Sequence, residues 1–118
     1  MPKLRLERIK ELYKVEVSNM LQKEIKDPRI GFVTVTDVEV SPDFRHAKIY
    51  VSPFGDEEAE RQTIQGLESA KGYMRTELGR RIRLRYTPEI SFAVDKSIER
   101  GVRLTKLIDQ ISEEGDHH

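Results

Sequence analysis

A chain of 118 residues with 21 basic and 21 acidic side chains has no net formal charge, so bulk positive charge does not make it a nucleic-acid glue. Charged and hydrophobic residues each make up 36 %, which suits one domain of two layers with a broad solvated surface rather than a thick core. The absence of cysteine excludes a disulfide framework and the usual structural zinc sites, and no stretch reaches the length of a membrane span. A soluble, cytoplasmic protein is expected, since MPKLRLERIKELYK also carries no apolar signal core.

Leu6, Ile9, Tyr13, Val17, Met20, Leu21 and Ile25 recur every three or four residues, which predicts an amphipathic helix from about Lys3 to Lys26. Pro28 disfavours helical geometry at Asp27 and stops it. The connection Lys26 to Gly31 reads as a helix stop and turn, or as a surface loop whose Lys26 and Arg29 touch phosphate. Phe32 to Val40 is rich in β-branched residues and predicts a strand. Val33 and Val35 share one parity and Val38 and Val40 the other, so a bulge near Thr36-Asp37 is needed to give one buried face. Ser41-Pro42-Asp43 supplies turn residues, and Arg45 to Ser52 completes a hairpin that buries Ala47, Ile49 and Val51. Its other face should be wet and carry Lys48 and Tyr50, with His46 an exposed strand residue rather than a ligand or a base.

Pro53-Phe54-Gly55-Asp56 breaks the strand, and Asp56, Glu57 and Glu58 open the next helix, where carboxylates complement the dipole. Ile64, Leu67 and Ala70 form one apolar stripe, and Met74, Leu78 and Ile82 a second. Gly72 stands between them and costs about 1 kcal/mol relative to alanine in a helix interior. The reading is therefore two helices meeting at a kink at Ala70-Lys71-Gly72, the second running to about Arg85. Beyond the kink stand Lys71, Arg75, Arg80, Arg81, Arg83 and Arg85 against Glu77 alone, so the second helix should be cationic. Pro88 and Glu89 open a last strand to Asp95, and residues 97–111 suggest a short helix or an extended tail. Residues 1–111 make a single domain; 112–118 are an acidic tail expected to lack fixed structure, in which His117 and His118, native or a tag remnant, carry no weight.

The order α-β-β-α-α-β predicts an α+β domain, a three-stranded mixed sheet covered on one face by three helices. No Ser-His-Asp or Cys-His pairing and no glycine-rich nucleotide loop is present, so an enzyme is not expected; nothing calls for a metal, cofactor or small-molecule substrate. The nucleic-acid reading rests on free N–H groups at a helix start, on a glycine that admits a backbone, and on arginine forks suited to phosphate. The alternative is a solvated helix face whose arginines pair with nearby acids.

The segments Leu21 to Arg29, Val38 to Ser41 with Asp43, Ala47 to Val51, Ala70-Lys71-Gly72 with Arg75, Leu78-Gly79, Arg83-Leu84-Arg85 and Pro88 to Phe92 resemble the ribosome-binding factor A family of bacterial assembly factors. Their order and spacing span about Arg8 to Leu107. The resemblance implies a type II KH-like fold in which an Ala-x-Gly kink replaces the loop with which other KH domains clamp a nucleic-acid backbone. It implies binding, without catalysis, to the free small (30S) ribosomal subunit and its 16S rRNA precursor. It also implies support of late maturation with rRNA 5′ end processing, and of growth at low temperature. The matching RNA-binding positions are Ala70, Lys71, Gly72 and Arg75; Arg80, Arg81, Arg83 and Arg85 are added on charge alone, with Lys26, Arg29 and Lys48 as further contacts. The short acidic end after Ile111 departs from relatives with longer tails. A monomer is expected, and two other readings stand beside this one: a protein–protein adaptor working through the first helix or the C-terminal stretch, and a generic single-stranded RNA-binding module.

Overall fold

The computed structural model describes residues 2–95, so the expectations for 97–111 and for the acidic tail lie outside the described residues. Helix α1 spans Pro2–Asn19 and runs on into a π-helical turn, Met20–Glu24, closed by the Ile25 N–H donating to the Met20 carbonyl at 2.9 Å. Ile9, Tyr13, Val17 and Met20 are its buried line, in keeping with the apolar spacing. The chain turns extended at Ile25, ahead of Pro28, and the Asp27 carboxylate takes the Arg29 N–H at 2.9 Å to hold the turn.

Strands β1 (Val33–Val40) and β2 (His46–Pro53) pair antiparallel, and β3 (Glu89–Val94) lies parallel to β2, in the order β1-β2-β3. Pairing passes from Val35 opposite Val51 to Asp37 opposite Tyr50, so Thr36 is the extra residue of a bulge where the parity slip required one. That slip lets Val35, Val38 and Val40 all face the core beside Ala47, Ile49, Val51 and Ile90. His46 and Lys48 stand exposed on the opposite face. The Thr36 hydroxyl donates to the Asp95 carboxylate at 2.6 Å, which ties the bulge to the end of β3.

Helix α2 runs unbroken over Glu57–Arg81. Its N-terminus is capped by Asp56, whose carboxylate accepts from the Ala59 N–H at 2.9 Å. The expected kink at Ala70-Lys71-Gly72 is absent, and the described sheet is covered by two helices instead of three. The reason is continuity of the buried line: Thr63, Leu67, Met74 and Leu78 are buried, with Ala70 half-buried between them, at steps of three and four residues. Gly72 falls on the exposed side, where an added Cβ would meet nothing within 4 Å, so its propensity cost is borne by a long, well-capped helix. The helix also ends at Arg81 and not at Arg85; Ile82 is already extended, its N–H donating to the Leu78 carbonyl at 2.8 Å. Arg83 and Arg85 therefore lie on the return segment 82–88 that leads into β3. The α+β class, the mixed sheet and its one-sided cover are as the sequence suggests.

One core group lacks a partner among the described residues. The Tyr13 hydroxyl is buried without a hydrogen bond, and burial pushes the phenol up to about 12, against the smaller opposing pull of the Arg75 charge. Because the folded-state value lies above the unfolded one, stability from this group is intact below about pH 10 and is lost as pH rises toward 12. Tyr13→Phe should be neutral to stabilising by about 1 kcal/mol near neutrality. It should also flatten the alkaline fall in melting temperature, as thermal denaturation across pH 8 to 12 would show.

Candidate nucleic-acid interface

The residues singled out in the sequence part into three groups. Ala70 packs against the core, Lys71 pairs with Glu68 at 2.5 Å, and Gly72 is open to solvent. No helix starts here, so the backbone N–H groups expected to meet phosphate are not free. The true start of α2 is closed to anions as well, because Glu57, Glu58 and Glu60 fill its first turn.

The second group is committed to holding the fold. Arg75 turns toward the return segment, donating to the Thr87 carbonyl at 2.9 Å and the Pro88 carbonyl at 3.2 Å, with Glu89 at 3.4 Å. Arg81 bridges the end of α2 to α1 and the π turn through Glu24 at 2.5 Å, Glu77 at 3.0 Å and Glu16 at 3.1 Å. The Arg81 guanidinium, helped by the Tyr73 hydroxyl at 2.9 Å, holds the Glu24 carboxyl below its usual range. The same carboxylates push Arg81 further up, so it stays charged under all working conditions. Arg29 is closed on its neighbour, donating to both Asp27 oxygens at 2.7 and 3.1 Å, which keeps that carboxyl low. These contacts use the donor forks that a phosphate would need.

The third group points outward. Arg80 is exposed and shares one nitrogen with Glu77 at 3.2 Å. Arg83 is exposed, with no ion-pair partner among the described residues. The guanidinium of Arg85 stands 5.6 Å from the Tyr86 ring centre. Lys26 is exposed beside the turn, and Lys48 lies over Tyr50 at 5.2 Å on the open sheet face. The expected cationic helix is thus a short exposed end, Arg80, continued by Arg83 and Arg85 on the return segment.

Two residues were missed. Arg45, at the end of the hairpin turn, lies 4.5 Å from the Tyr86 ring centre. With Arg75, Arg85, His46 and Glu89 the pair lines an open cleft of about 660 Å³. What joins them is the parallel register that sets His46 opposite Glu89, with the Glu89 N–H donating to the Arg45 carbonyl at 2.8 Å. No local pattern in either segment carries that register. Among the described residues no group of three or more histidines and carboxylates could hold a metal, and no helix is long and apolar enough to cross a membrane.

Residues 5–108 match the family model described as Ribosome-binding factor A. The chain belongs to the ribosome-binding factor A family. It is 50 % identical over 114 residues to ribosome-binding factor A of Halothermothrix orenii, covering 97 % of this chain and 93 % of that one. The crystal structure of ribosome-binding factor A from Thermus thermophilus superposes with a TM-score of 0.67 at 27 % identity, over 75 % of this chain and 94 % of that one. A homology model of the Thermus thermophilus ribosome binding factor A, fitted into a cryo-EM map of a 30S complex, superposes at 0.61 with 28 % identity, over 74 % of this chain and 91 % of that one. The fold is accordingly the KH-like α+β fold of the ribosome-binding factor A structures.

In this member of the ribosome-binding factor A family two glycines of α2 behave oppositely. At Gly72 an added methyl meets open space, so Gly72→Ala should raise stability by about 0.5–1 kcal/mol. At Gly66 an added Cβ would stand 2.5 Å from Ile30 Cγ1, where the 25–32 connection crosses the helix. Overpacking of that kind costs about 1–3 kcal/mol and outweighs the helix gain, so Gly66→Ala should destabilise. Urea denaturation of the two variants checks both signs.

Proposed function

We propose that the protein is a non-catalytic assembly factor that binds the free small (30S) ribosomal subunit and its 16S rRNA precursor in the cytoplasm. It supports late maturation, including processing of the rRNA 5′ end, and growth at low temperature. The observation that carries this reading is family membership over almost the whole chain, with a family member fitted into the map of a 30S complex. The outward cations Arg83, Arg85, Lys26 and Lys48 lie outside the Arg81 and Arg75 networks that hold the fold, and Arg80 meets them only through Glu77, so these side chains support contact with rRNA. Ala70, Lys71 and Gly72 contribute through the exposed Gly72, over which an RNA backbone passes closely, with Lys71 beside it and half-buried Ala70 supporting the helix from the core side. Gly72→Ala should then bind small subunits more weakly although its melting temperature is higher, since a methyl group there meets RNA and nothing of the protein.

The adaptor reading has one observation of its own. Leu4, Leu12 and Val15 of α1 are exposed apolar side chains, which a protein partner could cover. A strain deprived of the protein tests the assembly reading. It should accumulate 16S precursor with an unprocessed 5′ end, and grow worst in the cold. Normal processing at low temperature would remove it.

A further inference from the structure

The backbone around Arg45 is held from both sides. Its N–H donates to the Asp43 carboxylate at 3.0 Å and the Ser41 hydroxyl at 3.2 Å, and its carbonyl accepts the Glu89 N–H. Phe44 before it sits at φ 60°, a left-handed conformation uncommon outside glycine that these turn contacts sustain. The Arg45 guanidinium lies against the Tyr86 ring, which also takes the Arg85 guanidinium. An arginine against an aromatic face spends its flat π surface there and keeps its in-plane N–H fork for another ligand. Neither arginine has a carboxylate within ion-pairing distance among the described residues, whereas Arg75 on the cleft wall is tied to two carbonyls. The two forks have no carboxylate partner among the described residues and line one open cleft with Tyr86, and arginine forks suit the oxygens of a phosphate.

We propose that Arg45 and Arg85, set on Tyr86, form a clamp for a phosphodiester of single-stranded RNA. The assignment of that RNA to the ribosomal precursor rests on the function proposed above; the clamp itself does not. The cleft is open to solvent, and Glu89 offsets part of its charge. A free anion would stay hydrated there, while a polynucleotide adds contacts at Arg80 and Arg83.

Arginine side-chain NMR on the full chain tests the clamp, with inorganic phosphate in one titration and a short single-stranded RNA in another. The Arg45 and Arg85 Nε–Hε signals should move with the RNA at concentrations where phosphate leaves them still. Equal response to both would overturn the phosphodiester assignment, and signals that stay still with RNA would overturn the clamp. Arg45→Gln/Arg85→Gln should bind purified small subunits roughly tenfold more weakly, with a salt slope smaller by about two contacts' worth, at an unchanged melting temperature. Tyr86→Leu keeps both charges and should lose affinity with little change of slope. A double variant that binds subunits as the wild type does would sink the clamp and leave the assembly function standing. A wild type that ignores subunits but whose Arg45 and Arg85 respond to RNA would do the reverse.

Discussion

Arg80→Glu/Arg83→Glu should lose affinity for purified small subunits by roughly tenfold or more, with a melting temperature close to that of the wild type. Both side chains stand in solvent, and the one ion pair between them and the described residues is that of the exposed Arg80 with Glu77, whose carboxylate Arg81 also holds, so its loss should cost little stability. Each phosphate contact adds about 0.7 to 0.9 to the log–log salt slope, so removing two should flatten the slope by about 1.5. Arg81→Glu is the contrasting variant. It places a fourth carboxylate among Glu16, Glu24 and Glu77 and removes their shared cation, so its melting temperature should fall well below that of the double variant. Thermal melts beside subunit binding separate the two. A stable Arg81→Glu protein would show that the three-carboxylate bridge does not hold the end of α2.

Leu78→Ala should cost about 2–5 kcal/mol, the range for truncating a fully buried leucine. Leu78 has no solvent exposure and stands at the last buried turn of α2, where its carbonyl also takes the Ile82 N–H that ends the helix. The loss should appear as a lower urea midpoint with the same slope, because the extent of unfolding does not change. A loss below about 1 kcal/mol would mean that this end of the helix packs loosely and that the return segment is free to refill the space.

Much of this fold is legible in the sequence because it is written at short range. The spacing of Ile9, Tyr13, Val17 and Met20 marks α1, and the change of parity between Val35 and Val38 marks a bulge without any tertiary information. The continuity of α2 is written there too, in the steps from Leu67 through Ala70 and Met74 to Leu78. Giving Gly72 the weight of a breaker obscured it. A glycine on the solvent side of a long helix costs about 1 kcal/mol, too little to break one whose other face is buried. Within α2 the glycines with no room for a side chain are Gly66, where Ile30 crosses the helix, and Gly79, where Thr87 lies against it, and nothing local marks either.

The candidate interface was harder to read because charge is visible in a sequence and pairing is not. Arg81 appears as one more cation in a basic run until the fold brings Glu16 and Glu24 from the other helix against it. Arg45 and Tyr86 look unrelated until the parallel pairing of β2 with β3 sets them together. A parallel register is fixed by the crossover and the packing beneath it rather than by a turn, so neither strand announces it.

The most direct test of the central claim is co-sedimentation of the unaltered protein with purified small subunits at low and at moderate salt. Binding that is specific for the small subunit and weakens steeply as salt rises is the expected result, since rRNA phosphate would carry the contact. Failure to bind at low salt, or binding indifferent to salt, would contradict it.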